Sequence, residues 1–160
     1  MTRTLTKVIS GGQTGADIGG LKAAKASGIQ TGGLMPAGYL TEAGKRPEYG
    51  PLYGVLEHPS DRYEPRTVAN VLNSEGTIIF SSNFGSAGSK LTMEACGRAT
   101  KPLMLIDVRS PSETAVDDVV KWLNENKIQT LNVAGNRESK SPGVGAFVET
   151  FLIEVFKKLG

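Results

Sequence analysis

The chain has 160 residues, 39% hydrophobic and 21% charged, which provides one domain with a sizeable core and argues against disorder. Its formal net charge of +2 comes with no block of Lys and Arg and no basic stripe interleaved with aromatics, so nucleic acid is not an expected partner. One cysteine, Cys96, and one histidine, His58, exclude an internal disulfide and leave no set at metal-ligand spacing, and no metal site is expected.

No run reaches the ~20 apolar residues of a membrane span, so no membrane partner is expected. Met1 to Lys7 lead into a strand without a signal-like apolar region, and the expected location is cytoplasmic. The first strand is Leu5 to Ile9. It breaks into Ser10-Gly11-Gly12-Gln13-Thr14-Gly15 and resumes at Ala16 as a helical pattern with Ile18, Leu21, Ala24 and Gly28 on one face. Strand, glycine loop and helix start bring unpaired N–H groups and the positive end of a helix dipole to one point, which attracts an oxyanion. Gly11, Gly12 and Gly15 permit close backbone approach, Gln13 and Thr14 add side-chain hydrogen bonding, and Asp17 complements the dipole. The spacing is neither the dinucleotide fingerprint nor a P-loop. An ordinary βα turn is the alternative.

Thr31 to Met35 is a second strand, interrupted by Gly32 and Gly33. Residues 36–64 then form a long loop insertion carrying Tyr39, Lys45, Arg46, Tyr49, Tyr53, His58, Arg62 and Tyr63. Such a loop serves either as a lid over a flat anion or as a subunit interface. A helix opens at Pro65, its first helical position. Val68, Val71 and Leu72 form its apolar face, and Arg66 and Asn70 lie a turn apart on another, where Arg66 is either an anion contact or solvated. Gly76 to Ser82 is a continuously apolar strand of the parallel, doubly covered kind. A second glycine/serine loop follows, Asn83 through Gly85, Ser86, Gly88, Ser89 and Thr92, leading a helix to about Ala99. Leu103 to Asp107 is the next strand. Ser110-Pro111-Ser112-Glu113 reads as a capping box for a helix to about Asn126. Gln129 to Val133 is the fifth strand, ending in a polar loop with Asn136 and Arg137. The closing helix repeats apolar residues from Val144 to Leu159 and packs on the sheet or on a partner. The alternation predicts one α/β domain over residues 1–160, a three-layer Rossmann-like fold of about five mainly parallel strands flanked by helices. Its glycine loops and the loop after the fifth strand gather at the carboxyl edge of the sheet, where a phosphorylated small molecule would bind.

Ile9 to Asp17, Tyr63-Glu64-Pro65-Arg66-Thr67 with Asn70, and Gly85 to Thr92 before Lys101-Pro102 resemble the molybdenum cofactor carrier family, which is similar in fold to the lysine-decarboxylase-like or LOG proteins. The resemblance implies a cytoplasmic, homo-oligomeric carrier that binds molybdenum cofactor, a phosphorylated molybdopterin, and delivers it to molybdoenzymes. On this resemblance Gly11 to Asp17, Ala16 included, and Asn83 with Gly85 to Thr92 hold the terminal phosphate. Arg66 and Arg137 neutralise charge, while Thr67, Asn70 and Asn136 bond the pterin or its linker. The metal arrives on the cofactor's dithiolene. LOG enzymes resemble a Gly-Gly-x-Gly-Thr-x-x-Glu pattern with a catalytic Glu; here Thr92 takes that place and the nearest carboxylate is Glu94. No catalytic residue is therefore assigned. The alternatives are a nucleoside-monophosphate phosphoribohydrolase using Glu94 or Asp17, and a sensor that binds a nucleotide such as ADP-ribose without turnover.

Overall fold

The computed structural model describes residues 4–160; residues 1–3, part of the stretch without a signal-like region, lie outside it. In chain order the elements are β1 (Lys7–Ser10), α1 (Ala16–Ala26), β2 (Gln30–Gly32), β3 (Leu34–Met35), β4 (Leu40–Thr41), β5 (Gly44–Lys45), α2 (Tyr49–Tyr53) and β6 (Leu56–Glu57). They continue as α3 (Tyr63–Leu72), β7 (Gly76–Ser81), α4 (Ala87–Ala99), β8 (Leu103–Asp107), α5 (Ala115–Glu125), β9 (Thr130–Gly135) and α6 (Val144–Leu159). Five strands form one sheet in the order β2-β1-β9-β7-β8, and every pairing in it is parallel. The fold is Rossmann-like α/β. The final strand, β9, lies at its centre between β1 and β7.

The apolar runs explain the layers. Ile78, Ile79 and Phe80 on β7 are buried on both faces of the sheet, as a doubly covered parallel strand requires. α6 packs against both α1 and α5, and α3 against α4. Val148, Phe151, Leu152, Val155 and Phe156 join Val119 and Leu123 of α5 in the main core. Of the two roles open to α6, packing within the chain takes its apolar face.

Three local expectations are corrected. The second strand divides at Gly33, whose φ of +122° turns the chain so that β3 leaves the main sheet and pairs with β6. A Cβ there would lie 2.1 Å from the Ser10 carbonyl oxygen, so only glycine fits. The stretch after β3 is built rather than bare: it holds a 3₁₀ turn, the β4–β5 hairpin, α2 and β6. Its aromatics serve packing, since Tyr53 is buried with Leu21, Met35 and Val55 while Tyr39 and Tyr49 lean on the same cluster. At α5, the helix begins at Ala115 instead of Pro111. Ser112 Oγ accepts from Thr114 N at 3.3 Å, so the local turn displaces the capping box.

Candidate functional site

The loop after β1 is organised from within. Ser10 Oγ accepts from Gly12 N at 3.2 Å and donates to the Asp17 carbonyl at 3.0 Å. Gln13 N donates to Asp17 Oδ2 at 3.2 Å. A protein carboxylate thus sits where the glycine loop and the α1 N-terminus favour an anion. Above it lies Arg66, from the first turn of α3, with Nη1 at 3.6 Å from Asp17 Oδ2 and side-chain exposures of 13% and 6% for the two residues. Gly11 makes this approach possible: a Cβ on it would fall 1.8 Å from Arg66 Nη1.

Burial pushes the Asp17 carboxyl up against the pull of Arg66, the Gln13 amide and Arg137. Burial likewise lowers Arg66, with Arg137 adding repulsion and Asp17 opposing. Both cations lie against Tyr63, its ring centroid 5.6 Å from the Arg66 guanidinium and 4.4 Å from that of Arg137. Arg66 Nε and Gln13 Oε1 are buried without a hydrogen-bond partner, the kind of unfilled capacity that marks polar sites awaiting a ligand or water. Across the cavity α4 begins, with Ser86 Oγ accepting from Ser89 N at 3.3 Å. The first-turn residues Ala87 and Gly88 line the space and add the positive end of a helix dipole.

These groups enclose a cavity of about 360 Å³, within the range of small-molecule sites. Of the residues singled out from sequence, Gly11, Gln13, Asp17, Arg66, Thr67, Asn70, Gly88, Ser89, Thr92 and Arg137 line it. Several of these have their polar groups engaged elsewhere. Asn70 clamps the backbone of Leu34, accepting from its N–H at 2.9 Å and donating to its carbonyl at 3.0 Å. Thr67 and Thr92 donate to the carbonyls of Tyr63 and Gly88 in their own helices.

Gly12, Thr14, Gly15, Ala16, Asn83, Gly85, Ser86 and Asn136 stand outside the lining and build its frame. Gly12 faces Met35, and Gly15 faces the backbone of Asn136 to Glu138. Ala16 N donates to the Asn136 carbonyl at 3.0 Å. Asn136 Oδ1 accepts from Ser82 N at 2.7 Å, tying the loops after β7 and β9 together. Asn83 Oδ1 holds the turn through Gly85 N at 2.9 Å. Thr14 and Ser139 both donate to the Glu42 carboxylate, so the β4–β5 turn fastens the first and last loops.

Glu64, Ile79 and Asn132, to which the sequence assigned no ligand role, also line the cavity, and so does Tyr63, which the sequence left open between a lid over a flat anion and an interface. The Tyr63-Glu64 dipeptide beside Arg66 was the available signal. Its position became legible only once α3 was seen to begin at Tyr63, with Pro65 third in the helix. Glu94, the carboxylate nearest the place of the LOG glutamate, lies instead in a separate groove between α3 and α4. Among the described residues no group of three or more His, Cys, Asp or Glu is placed to hold a metal. No helix among them is long and apolar enough to cross a membrane.

The model of the circularly permutated YpsA SLOG family matches residues 8–156. The chain belongs to that family. The crystal structure of the "Putative molybdenum carrier protein" of Syntrophus aciditrophicus is similar throughout: 38% identity, a TM-score of 0.86, and 98% of this chain aligned with 97% of that one. No curated protein matches.

Proposed function

We propose that this SLOG protein binds molybdenum cofactor as cargo, its phosphate held by Arg66, Arg137 and the first turn of α4, its flat pterin lying beside Tyr63. The observation that carries this reading is the pair of guanidiniums against one aromatic ring at a cavity whose buried carboxylate, Asp17, pairs with Arg66. Arg137 forms no ion pair among the described residues and is left to meet an anion, and Arg recognises phosphate through paired N–H donors. Ile79, Leu91 and Val133 add apolar wall for a ring system. The similar protein from Syntrophus aciditrophicus bears a molybdenum carrier name, which supports the choice of cargo. The absence of a metal-ligand cluster among the described residues suits a metal that travels on the cofactor's own dithiolene. On this reading the chain is a cytoplasmic carrier that passes the cofactor to molybdoenzymes.

Gel filtration of the protein mixed with molybdenum cofactor tests the proposal, with molybdenum and oxidised-pterin fluorescence assayed in the protein peak. Both are expected to co-elute in equal amounts with the protein and to be lost with Arg137→Ala. A peak empty of pterin, beside saturable binding or cleavage of a nucleoside monophosphate, overturns the cargo while retaining the anion site.

A further inference from the structure

Two groups in the lining of the large cavity are at odds with a plain anion site. Arg66, Arg137 and the first turn of α4 favour negative charge, yet Asp17 lines the same space with 6% of its side chain exposed. Gln13, on the same glycine loop, is a second acceptor. Its Nε2 donates to the carbonyls of Gly11 at 3.3 Å and Leu40 at 3.0 Å. Those two carbonyls fix which way the amide points and leave Oε1 buried without a donor. A fully ionised anion brings acceptors only, so it would leave Gln13 Oε1 unpaired and set Asp17 against a like charge. A ligand that carries a hydrogen on its anionic group meets both demands.

Asp17 has an oxygen to spare for that hydrogen. Its Oδ2 accepts from Gln13 N at 3.2 Å and lies 3.6 Å from Arg66 Nη1, while no side-chain donor among the described residues reaches Oδ1. The charged groups facing the carboxylate are Arg66 of α3 and Arg137 after β9, with Tyr63 and Glu64 of α3 acting on Arg66. Arginine does not give up its proton in proteins, so a proton exchanged where the anion meets Asp17 passes between the carboxylate and the anion. Burial already favours the protonated form of Asp17. Arg66 Nε, buried without an acceptor, is the donor available to another oxygen of the same anion.

We propose that Asp17 and a bound phosphate group share one proton, held between Asp17 Oδ1 and a phosphate oxygen, and that this makes Asp17 the residue by which the cavity selects phosphate over oxyanions without a proton at neutral pH, such as sulfate. The inference rests on the reading of the cavity as a phosphate site. A phosphate monoester has its second pKa at about 6, within reach of the proton that the contact requires. Two anionic groups in contact do not both stay ionised, and one shared proton removes the repulsion. Above its second pKa the phosphate enters as a dianion with one proton taken from solvent. That proton ends between the two oxygens, and no other bond forms or breaks.

Isothermal titration of the unmodified protein with inorganic phosphate and with sulfate tests this without any cofactor. Phosphate is expected to bind at least about tenfold more tightly than sulfate near neutral pH. Titrations in buffers of different ionisation enthalpy should register close to one proton taken up per phosphate at about pH 8, and the affinity should fall about tenfold for each further pH unit. Asp17→Asn is expected to abolish both the slope and the preference, because its amide donates to an ionised oxygen. Circular dichroism verifies that this variant is folded, and the titrations of the unmodified protein decide the matter if it is not. Phosphate bound without proton uptake, or no more tightly than sulfate, overturns the inference and leaves the phosphate site standing. Failure of phosphate to bind at all removes the phosphate reading and the inference with it.

Discussion

Arg66 has two separable roles: it neutralises Asp17 and it presents positive charge to the cavity. Arg66→Ala leaves a carboxylate of 6% side-chain exposure without its cation, and breaking a buried pair in this way costs about 3–5 kcal/mol. Asp17 is already raised by burial and rises further in this variant. A carboxyl with a raised folded pKa binds its proton more tightly when folded, so the variant gains stability as pH falls toward the ordinary carboxylate range and loses it as pH rises. Urea unfolding across pH checks this slope. Adding Asp17→Asn to Arg66→Ala is expected to recover most of the stability but none of the anion binding, which separates the two roles. Gly11→Ala tests the same contact from below. Its methyl group would displace the Arg66 guanidinium and crowd Asp17 Oδ2, 2.9 Å from that Cβ, so it breaks the buried pair as Arg66→Ala does: the melting temperature should fall, and isothermal titration should show at least about a tenfold loss of affinity.

The hairpin between β4 and β5 acts at the scale of elements. Glu42 accepts from Thr14 in the first loop and from Ser139 after β9. The Ser139 and Thr14 hydroxyls hold its carboxyl below the ordinary value of 4.5. A depressed folded pKa contributes stability that is fully present above the unfolded value and lost as pH falls through the folded one. Melting temperatures should therefore fall below about pH 4.5 with a component that Glu42→Gln removes, and that variant should already be the less stable one at neutral pH. The excursion carrying Glu42 was legible in the sequence only as length and composition. Its helix α2 and the strand β3 before the hairpin pack with α1, Tyr53 and Met35 clustering with Leu21, and such long-range packing has no local pattern to announce it. β8 and α6, by contrast, were legible almost to the residue, because a continuous apolar run and an i, i+3, i+4, i+7 stripe are local signals.

For the whole molecule, cargo binding and folding are linked. A ligand that binds only the folded state stabilises it by about 2.7 kcal/mol at a hundred times its dissociation constant. For a chain of this length that is roughly 5–10 °C in melting temperature. Differential scanning fluorimetry with molybdenum cofactor should show this shift and should lose it in Arg137→Ala, whose side chain is not part of the buried pair with Asp17. The crossing loops make such a shift reasonable: the groups around the cavity come from the ends of β1, β7 and β9 and from α3, so a ligand there ties together segments distant in the chain.

Local pattern carried the alternating α/β order, the parallel character of the sheet and the glycine loops at its carboxyl edge, and it left Arg66 open between an anion contact and a solvated face. Strand burial, helix periodicity and turn residues are properties of neighbouring positions, so they can be read locally. Long-range packing was needed to set β9 between β1 and β7, Asp17 at the head of its own loop, and Tyr63 against two cations. It also set Glu94, the base of the alternative hydrolase reading, in the groove between α3 and α4 and not in the large cavity. Each of these depends on which distant segments meet, and that is settled by the packing of the whole chain.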